Sequence, residues 1–109
     1  MYECIAKFAE NVSDNELYWK TIKTKENIIK AYSQVDIEKW ENADKEIQNG
    51  IEKYAPLLED SKLQDKVINI NKTYIILNEM KNAIAKKDKE IFLVKYKNIL
   101  EEMNSIWYN

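Results

Sequence analysis

The sequence contains no histidine and no arginine, and it has only one cysteine, one glycine and one proline among its 109 residues. Without histidine it lacks the usual base that activates a serine or cysteine nucleophile, and it lacks the Glu-x-x-His pairs of helical di-iron sites. A single glycine excludes a glycine-rich phosphate-binding loop. Because an internal disulfide needs two cysteines, we interpret Cys4 as a small buried hydrophobic residue. We therefore expect no catalytic residue, no metal site and no cofactor.

The charge of the chain is nearly balanced, with 17 lysines against 19 acidic residues and a formal net charge of −2. Residues 1–60 carry 8 lysines against 13 acidic residues, whereas residues 61–109 carry 9 against 6, so the two halves should attract each other. A chain with this charge balance has no overall positive electrostatic potential to attract nucleic acid. Arginine, the residue that most often makes bidentate hydrogen bonds to guanine, is absent. No nucleic-acid partner is expected.

No apolar run approaches the roughly 20 residues that a membrane-spanning helix needs. The N-terminus also lacks the apolar core of a signal peptide. We expect no transmembrane segment in this sequence, so any membrane tether would lie outside it.

Long helices are the structure that this composition favours. Hydrophobic residues make up 45% of the chain and charged residues 33%, and the near absence of glycine and proline argues against β-sandwiches and disorder. The length corresponds to one domain over residues 1–109 with one core. Periodicity and capping signals predict helices at about residues 14–33, 37–55, 62–86 and 89–107, with a short helical segment at residues 2–10.

The predicted helix starts depend on four N-terminal signals: the capping boxes Ser13/Glu16 and Ser61/Gln64, and the N-cap candidates Asp36 and Asp88. Pro56 should end or kink the second helix near Ala55, because proline has no amide hydrogen and crowds the preceding turn. Gly50 falls inside the second helix, where we interpret it as a weak point costing about 1 kcal/mol relative to alanine.

Each predicted helix carries an apolar stripe at four- and three-residue spacing. In the first helix the stripe predicted to face the core is Tyr18, Ile22, Lys25, Ile29 and Tyr32. In the second helix it is Trp40, Ala43, Ile47, Ile51, Tyr54 and Leu58. The third helix is apolar over about 240° of its circumference, which suits a helix between two neighbours. Short connections make consecutive helices antiparallel neighbours. We therefore predict an up-down-up-down four-helix bundle.

This topology would gather aromatic side chains at the two ends of the bundle. Tyr32, Trp40 and Phe92 should meet near one end, and Tyr18, Tyr54 and Trp107 near the other. Ordinary core packing is the simpler interpretation of these residues. The alternative is a ligand pocket lined by aromatic rings.

Three apolar residues fall outside the predicted stripes and are candidates for an interface. Trp19 projects about 130° from its stripe, so it either covers the N-terminal segment or lies exposed as an interface anchor. Ile68 and Ile75 lie seven residues apart on the back of the third helix. They form a symmetric dimer seam if no other part of the chain covers them.

The order of features from Asp36 onward resembles small helical proteins of low-G+C Gram-positive bacteria. The resemblance rests on residues 36–43 (Asp-Ile-Glu-Lys-Trp-Glu-Asn-Ala), on Tyr54 with Pro56, and on residues 84–89 (Ile-Ala-Lys-Lys-Asp-Lys). Such proteins are uncharacterised and are typically tethered outside the cytoplasm, so the resemblance favours a location at the cell envelope over the cytoplasm. It implies no activity.

Taken together, the sequence predicts a non-enzymatic helical interaction or scaffold module, the soluble part of a bacterial cell-envelope protein. We expect a protein partner or self-association. The alternative function is a small-ligand-binding helical bundle with an aromatic end pocket. Tetratricopeptide-like repeats are rejected, since the echo between Asp36-x3-Trp40 and Asp88-x3-Phe92 does not have their period of about 34 residues.

Overall fold

The computed structural model describes the backbone of residues 12–108 and the side chains of residues 16–105. This part of the chain is all-helical, as predicted, and contains four α-helices and no strand. They are α1 (Val12–Asp36), α2 (Trp40–Tyr54), α3 (Val67–Ala85) and α4 (Lys89–Tyr108), with two 3-10 helices, Ala55–Glu59 and Ser61–Lys66, between α2 and α3. The predicted segment at residues 2–10 and Cys4 lie outside the described residues.

The first helix runs further than predicted and ends in a Schellman motif. Glu38 has a left-handed backbone with a φ of 58°. Its amide donates to the carbonyl of Val35 at 3.0 Å, and the amide of Lys39 donates to the carbonyl of Gln34 at 2.8 Å. Asp36 is therefore the last residue of α1 and not the N-cap of the second helix, which begins at Trp40 instead of residue 37. The Schellman bonds satisfy the last carbonyls of α1 and so set this boundary.

The connection between α3 and α4 is the same turn. Lys87 has a φ of 55°, its amide donates to the carbonyl of Ile84 at 3.0 Å, and the amide of Asp88 donates to the carbonyl of Ala83 at 2.8 Å. The carboxylate of Asp88 then accepts a hydrogen bond from the amide of Ile91 at 3.1 Å. The prediction of Asp88 as an N-cap is confirmed.

Two short 3-10 helices interrupt the chain where the third helix was predicted to begin. Pro56 ends α2 at Tyr54, as predicted. The capping box Ser61/Gln64 was wrong, because Asp60 is the cap and accepts a hydrogen bond from the amide of Lys62 at 2.9 Å. Leu63 then departs from helical geometry (φ −108°, ψ 20°), so α3 starts at Val67 and not at residue 62.

The core takes side chains from all four helices and from the two 3-10 helices. The stripe predicted for the second helix is confirmed at Ala43, Ile47, Ile51 and Tyr54. The third and fourth helices and the 3-10 helix before them bury apolar residues at the same spacing: Leu63, Ile70, Leu77, Ile84, Phe92, Ile99 and Met103. Removal of these side chains from water is the main favourable contribution to folding.

The first helix presents a different side to the core from the one predicted. Its buried residues again follow four- and three-residue spacing: Leu17, Thr21, Thr24, Ile28, Ala31 and Val35. The predicted stripe lies one residue further along, about 100° round the helix. Three of its members, Tyr18, Ile29 and Tyr32, are exposed by 37%, 45% and 36%. The prediction of the buried side was therefore wrong for α1.

In this rotation α1 presents Thr24 and Asn27 to Gly50 of α2. A Cβ atom on Gly50 would stand 3.4 Å from Cγ2 of Thr24 and 3.5 Å from Cβ of Asn27, which is van der Waals distance, so the two helices are in direct contact here. The buried hydroxyl of Thr21 donates to the carbonyl of Leu17 at 2.7 Å, which satisfies it inside the helix. Gly50 thus has a packing role that helix propensity does not reveal.

One polar contact from a lysine joins each pair of successive helices at its rim. Lys53 Nζ donates to Asn27 Oδ1 at 2.7 Å between α1 and α2. Lys81 Nζ donates to Asp44 Oδ1 at 2.8 Å between α2 and α3, and Lys95 Nζ donates to Glu79 Oε2 at 3.0 Å between α3 and α4. The last two are ion pairs with solvent access, which typically contribute less than about 1 kcal/mol each. The fourth helix also packs against the first, though less extensively than against α3.

The left-handed residues Glu38 and Lys87 provide a test of the two turns. Glycine avoids the penalty that a Cβ atom meets at positive φ, so Glu38→Gly and Lys87→Gly should each raise the free energy of unfolding by about 1 kcal/mol in urea denaturation. Lys86 is the matched control, since its φ of −89° lies in the ordinary helical region. Lys86→Gly should not stabilise the protein, and equal effects at Lys86 and Lys87 would contradict the assignment.

Candidate protein-interaction surface

The contact between α1 and α4 brings two tyrosine rings together at the surface. The rings of Tyr32 and Tyr96 stack with centroids 4.6 Å apart and an interplanar angle of 24°. Tyr96 also stacks on the buried ring of Phe92, at 6.4 Å and 20°. Lys89 Nζ donates to the carbonyl of Asp36 at 3.1 Å and joins the same two helices near their turns. These contacts fix α1 and α4 side by side.

A strip of apolar side chains extends from this contact along both helices, and we call it the α1/α4 flank. Its members are Tyr18, Ile22, Ile29 and Tyr32 of α1 with Leu93, Tyr96 and Leu100 of α4. Helical spacing places them there, because Leu93 and Leu100 lie one turn on either side of Tyr96, and Ile29 lies one turn from Tyr32. Leu93 is exposed by 39%, and Ile22, Tyr96 and Leu100 are half-buried.

One charged residue lies within the flank. Lys25 follows Ile22 and precedes Ile29 at helical spacing, and its side chain is half-buried. In the part of the chain that the structure describes, its ammonium group makes no hydrogen bond and no ion pair, whereas Lys20 of the same helix pairs with Glu16 at 3.0 Å. Lys25 therefore stands as a cation in an apolar strip.

The three predicted interface residues lie on two helices. Trp19 of α1 is 54% exposed, and its ring meets the ring of Tyr18 edge to face with centroids 5.5 Å apart. On α3, Ile68 and Ile75 are 69% and 49% exposed. Trp19 therefore lies on a different helix from Ile68 and Ile75.

The aromatic residues predicted at one end are divided between two surfaces. Tyr32 and Phe92 stack through Tyr96 on the side where α1 meets α4. Trp40 instead lines a groove of about 480 Å³ together with Ile84. Charged side chains of both signs surround this groove: Glu41, Asp44, Lys45 and Lys87.

The described aromatic residues predicted at the other end have different surroundings. Tyr54 and Leu63 are fully buried in the core, whereas Tyr18 lies on the flank. The side chain of Trp107 lies outside the described residues.

A buried polar cluster, which the sequence reasoning missed, surrounds Tyr54. Its hydroxyl makes no hydrogen bond of acceptable geometry, although the hydroxyls of Thr21 and Thr73 lie near enough to act on it. Burial raises the pKa of Tyr54 to about 12, and the two threonines oppose this shift. The hydroxyl of Thr24 is likewise buried without a partner. The available signal was the placement of Thr21 and Thr24 at core spacing on α1.

Two further classes of site receive no support from the described residues. Over these residues, histidine, cysteine and carboxylate side chains form no group of three that would hold a metal ion. None of the helices described is both long and apolar enough to cross a membrane.

The raised pKa of Tyr54 predicts how stability changes at alkaline pH. As the pH rises from 10 to 12, the phenol ionises in the unfolded chain before it does so in the folded protein. The wild type should therefore lose roughly 2–3 kcal/mol of unfolding free energy relative to Tyr54→Phe over this range. At pH 7, Tyr54→Phe should be neutral or stabilising, because it removes an unpaired buried hydroxyl.

Urea denaturation at pH 7, 10, 11 and 12 measures both effects. The wild type and Tyr54→Phe contain the same lysines, so the effect of these lysines on stability cancels when the two proteins are compared. Tyr32→Phe is the matched control, since Tyr32 lies at the surface. The unfolding free energy of Tyr32→Phe should fall with pH as much as that of the wild type does. A Tyr54→Phe protein that loses stability in parallel with the wild type would contradict the assignment.

Comparison of the chain with protein-family models, with curated proteins and with solved structures gave no significant match. Function must therefore be argued from the surface itself, where the α1/α4 flank brings seven apolar side chains of two helices together.

Proposed function

We propose that this protein is a non-enzymatic helical interaction module that binds a protein partner through the α1/α4 flank. The observation that carries the proposal is the rotation of α1. This helix buries Thr21 and Thr24 and turns Tyr18, Ile29 and Tyr32 towards solvent. Apolar strips of this kind on a folded domain are typical of protein-protein contacts.

The energetics of the exposed side chains support this proposal. Full burial of an aliphatic or aromatic side chain contributes about 1.5–3 kcal/mol, so each partly exposed member of the flank leaves on the order of 1 kcal/mol unrealised in the isolated chain. A partner that covers Tyr32, Ile29 and Leu93 together would recover these contributions. Tyrosine is also enriched at interface hot spots, because its ring is apolar and its hydroxyl tolerates water.

We also propose that the four helices form an up-down-up-down bundle. The two Schellman turns support this arrangement, since each joins consecutive helices through only three residues. Packing of α1 on α2, α2 on α3, α3 on α4 and α4 on α1 supports it further. The flank would then be one of the four long sides of the bundle.

The sequence resemblance of residues 36–106 to envelope proteins of low-G+C Gram-positive bacteria supports a location at a bacterial cell envelope. We include this location in the proposal on that ground alone.

A second candidate function is binding of a small ligand in the groove beside Trp40. The volume of this groove, about 480 Å³, falls in the range of small-molecule sites. In that case apolar ligands would raise the melting temperature of the wild type, and Trp40→Ala would abolish the rise. The interaction module predicts no such shift.

Affinity capture with matched variants tests the proposed function. Immobilised wild type should retain a partner from the cells that produce the protein, and Ile29→Gln combined with Tyr32→Gln should reduce the retained amount by about tenfold or more, as expected for interface hot spots. Quantitative mass spectrometry of the captured proteins provides the measurement.

Ile75→Gln is the control, because Ile75 is exposed by 49%, close to the 45% of Ile29, but lies on α3. It should capture the partner as well as the wild type does. Capture that is equal for all three proteins, with folding verified by circular dichroism, would refute a role for the flank. Loss of capture in Ile75→Gln alone would instead move the interface to α3.

A further inference from the structure

We infer that the α1/α4 flank binds an amphipathic helix that carries a carboxylate within its apolar face, and that Lys25 pairs with this carboxylate. The inference rests on the proposed function and specifies the chemistry of the partner. It depends on the shape of the flank and on the lack of a partner for Lys25 among the described side chains.

The shape of the flank suits a helix. The stripe from Tyr18 to Tyr32 spans 14 residues of α1, which is about 21 Å at 1.5 Å per residue, or four helical turns. Its exposed members recur at helical spacing and meet the parallel row of Leu93, Tyr96 and Leu100 on α4. Two such rows offer apolar contacts to the i, i+3, i+4 and i+7 anchors of an amphipathic helix.

Lys25 specifies the charge of that helix. Within α1, the positions three and four residues away are Thr21, Ile22, Ile28 and Ile29, which carry no carboxylate, and Lys25 makes no ion pair with the adjacent Glu26. No residue of α4 described in the structure pairs with it either. A partner that covers the flank removes water from the ammonium group, and a carboxylate on the partner compensates for this loss better than a neutral acceptor does, because it brings the opposite charge.

The same argument disfavours the other occupants of the flank. A second copy that presents its own flank would bring a second Lys25, whereas its Glu26 lies at the edge of the strip, about 40° beyond Ile22, and not among the apolar members. An anionic membrane surface attracts clusters of four to eight cations, whereas Lys25 is the only charge among the apolar members of the flank. A helix with one acidic residue in its apolar face would cover the apolar side chains of both rows and pair with Lys25.

Three synthetic helical peptides of 18 residues test the inference. They share an apolar face of leucine and isoleucine and differ only at one central position in that face, which is Glu, Gln or Lys. Fluorescence anisotropy of labelled peptides measures their affinity for the wild type. The Glu peptide should bind about tenfold more tightly than the Gln peptide, and the Lys peptide should bind least.

Variants at Lys25 assign this preference to one side chain. Lys25→Glu should reverse the order, so that the Lys peptide binds most tightly. Lys25→Met, which keeps the apolar strip, should bind the Glu and Gln peptides without preferring Glu. Lys23→Glu is the matched control, because Lys23 is an exposed lysine on another side of the same helix, and it should keep the order of the wild type.

Several results would overturn the inference. Equal affinities of the Glu and Lys peptides would show that Lys25 does not pair with the carboxylate. The proposed function would still stand if Ile29→Gln reduced the affinity capture of a partner. Binding to anionic vesicles that is lost in Lys25→Met, without binding of any peptide, would assign the flank to a membrane. A doubling of mass in sedimentation that Ile29→Gln abolishes would assign it to a second copy. If the immobilised wild type retained no partner, the proposed function itself would be rejected.

Discussion

The close approach of α1 to α2 at Gly50 is the contact on which the rest of the structure depends. A Cβ atom on Gly50 would meet Cγ2 of Thr24 and Cβ of Asn27 at van der Waals distance, so the two helices lie in direct contact here. This contact goes with one rotation of α1 about its own axis, the one that buries Thr24 and Asn27. The rotation then decides which residues of α1 enter the core and which side faces α4.

The contact also brings polar groups into the interior. Thr21 and Thr24 enter the core with the small side of α1, and Tyr54 lies among them from α2. The hydroxyl of Thr21 is satisfied by the carbonyl of Leu17, whereas those of Thr24 and Tyr54 are not. An unpaired buried hydroxyl typically costs about 1–3 kcal/mol. The close fit of α1 on α2 therefore forgoes part of the stability that an apolar interior would provide.

The sequence alone predicted most of the helical architecture, and its failures have identifiable physical causes. Helices with a single apolar stripe, such as the one through Ile47 and Tyr54, could be assigned from periodicity. The first helix has two candidate stripes one residue apart, and the prediction chose the one with Ile29 and Tyr32 because periodicity alone does not say which of two neighbouring stripes meets the other helices. The end of α1 was missed because Glu38 is left-handed without being glycine. The flank follows from that rotation, so the prediction had assigned its α1 residues to the core.

The rotation of α1 also decides where a charged residue lies. The stripe that α1 buries contains Leu17, Ile28 and Val35 and no charge, whereas the stripe through Ile29 and Tyr32 contains Lys25. A cation would be costly in the core and is tolerated at a surface where water or a carboxylate can reach it. A single packing choice thus removes a charge from the interior and places it in the middle of an apolar strip.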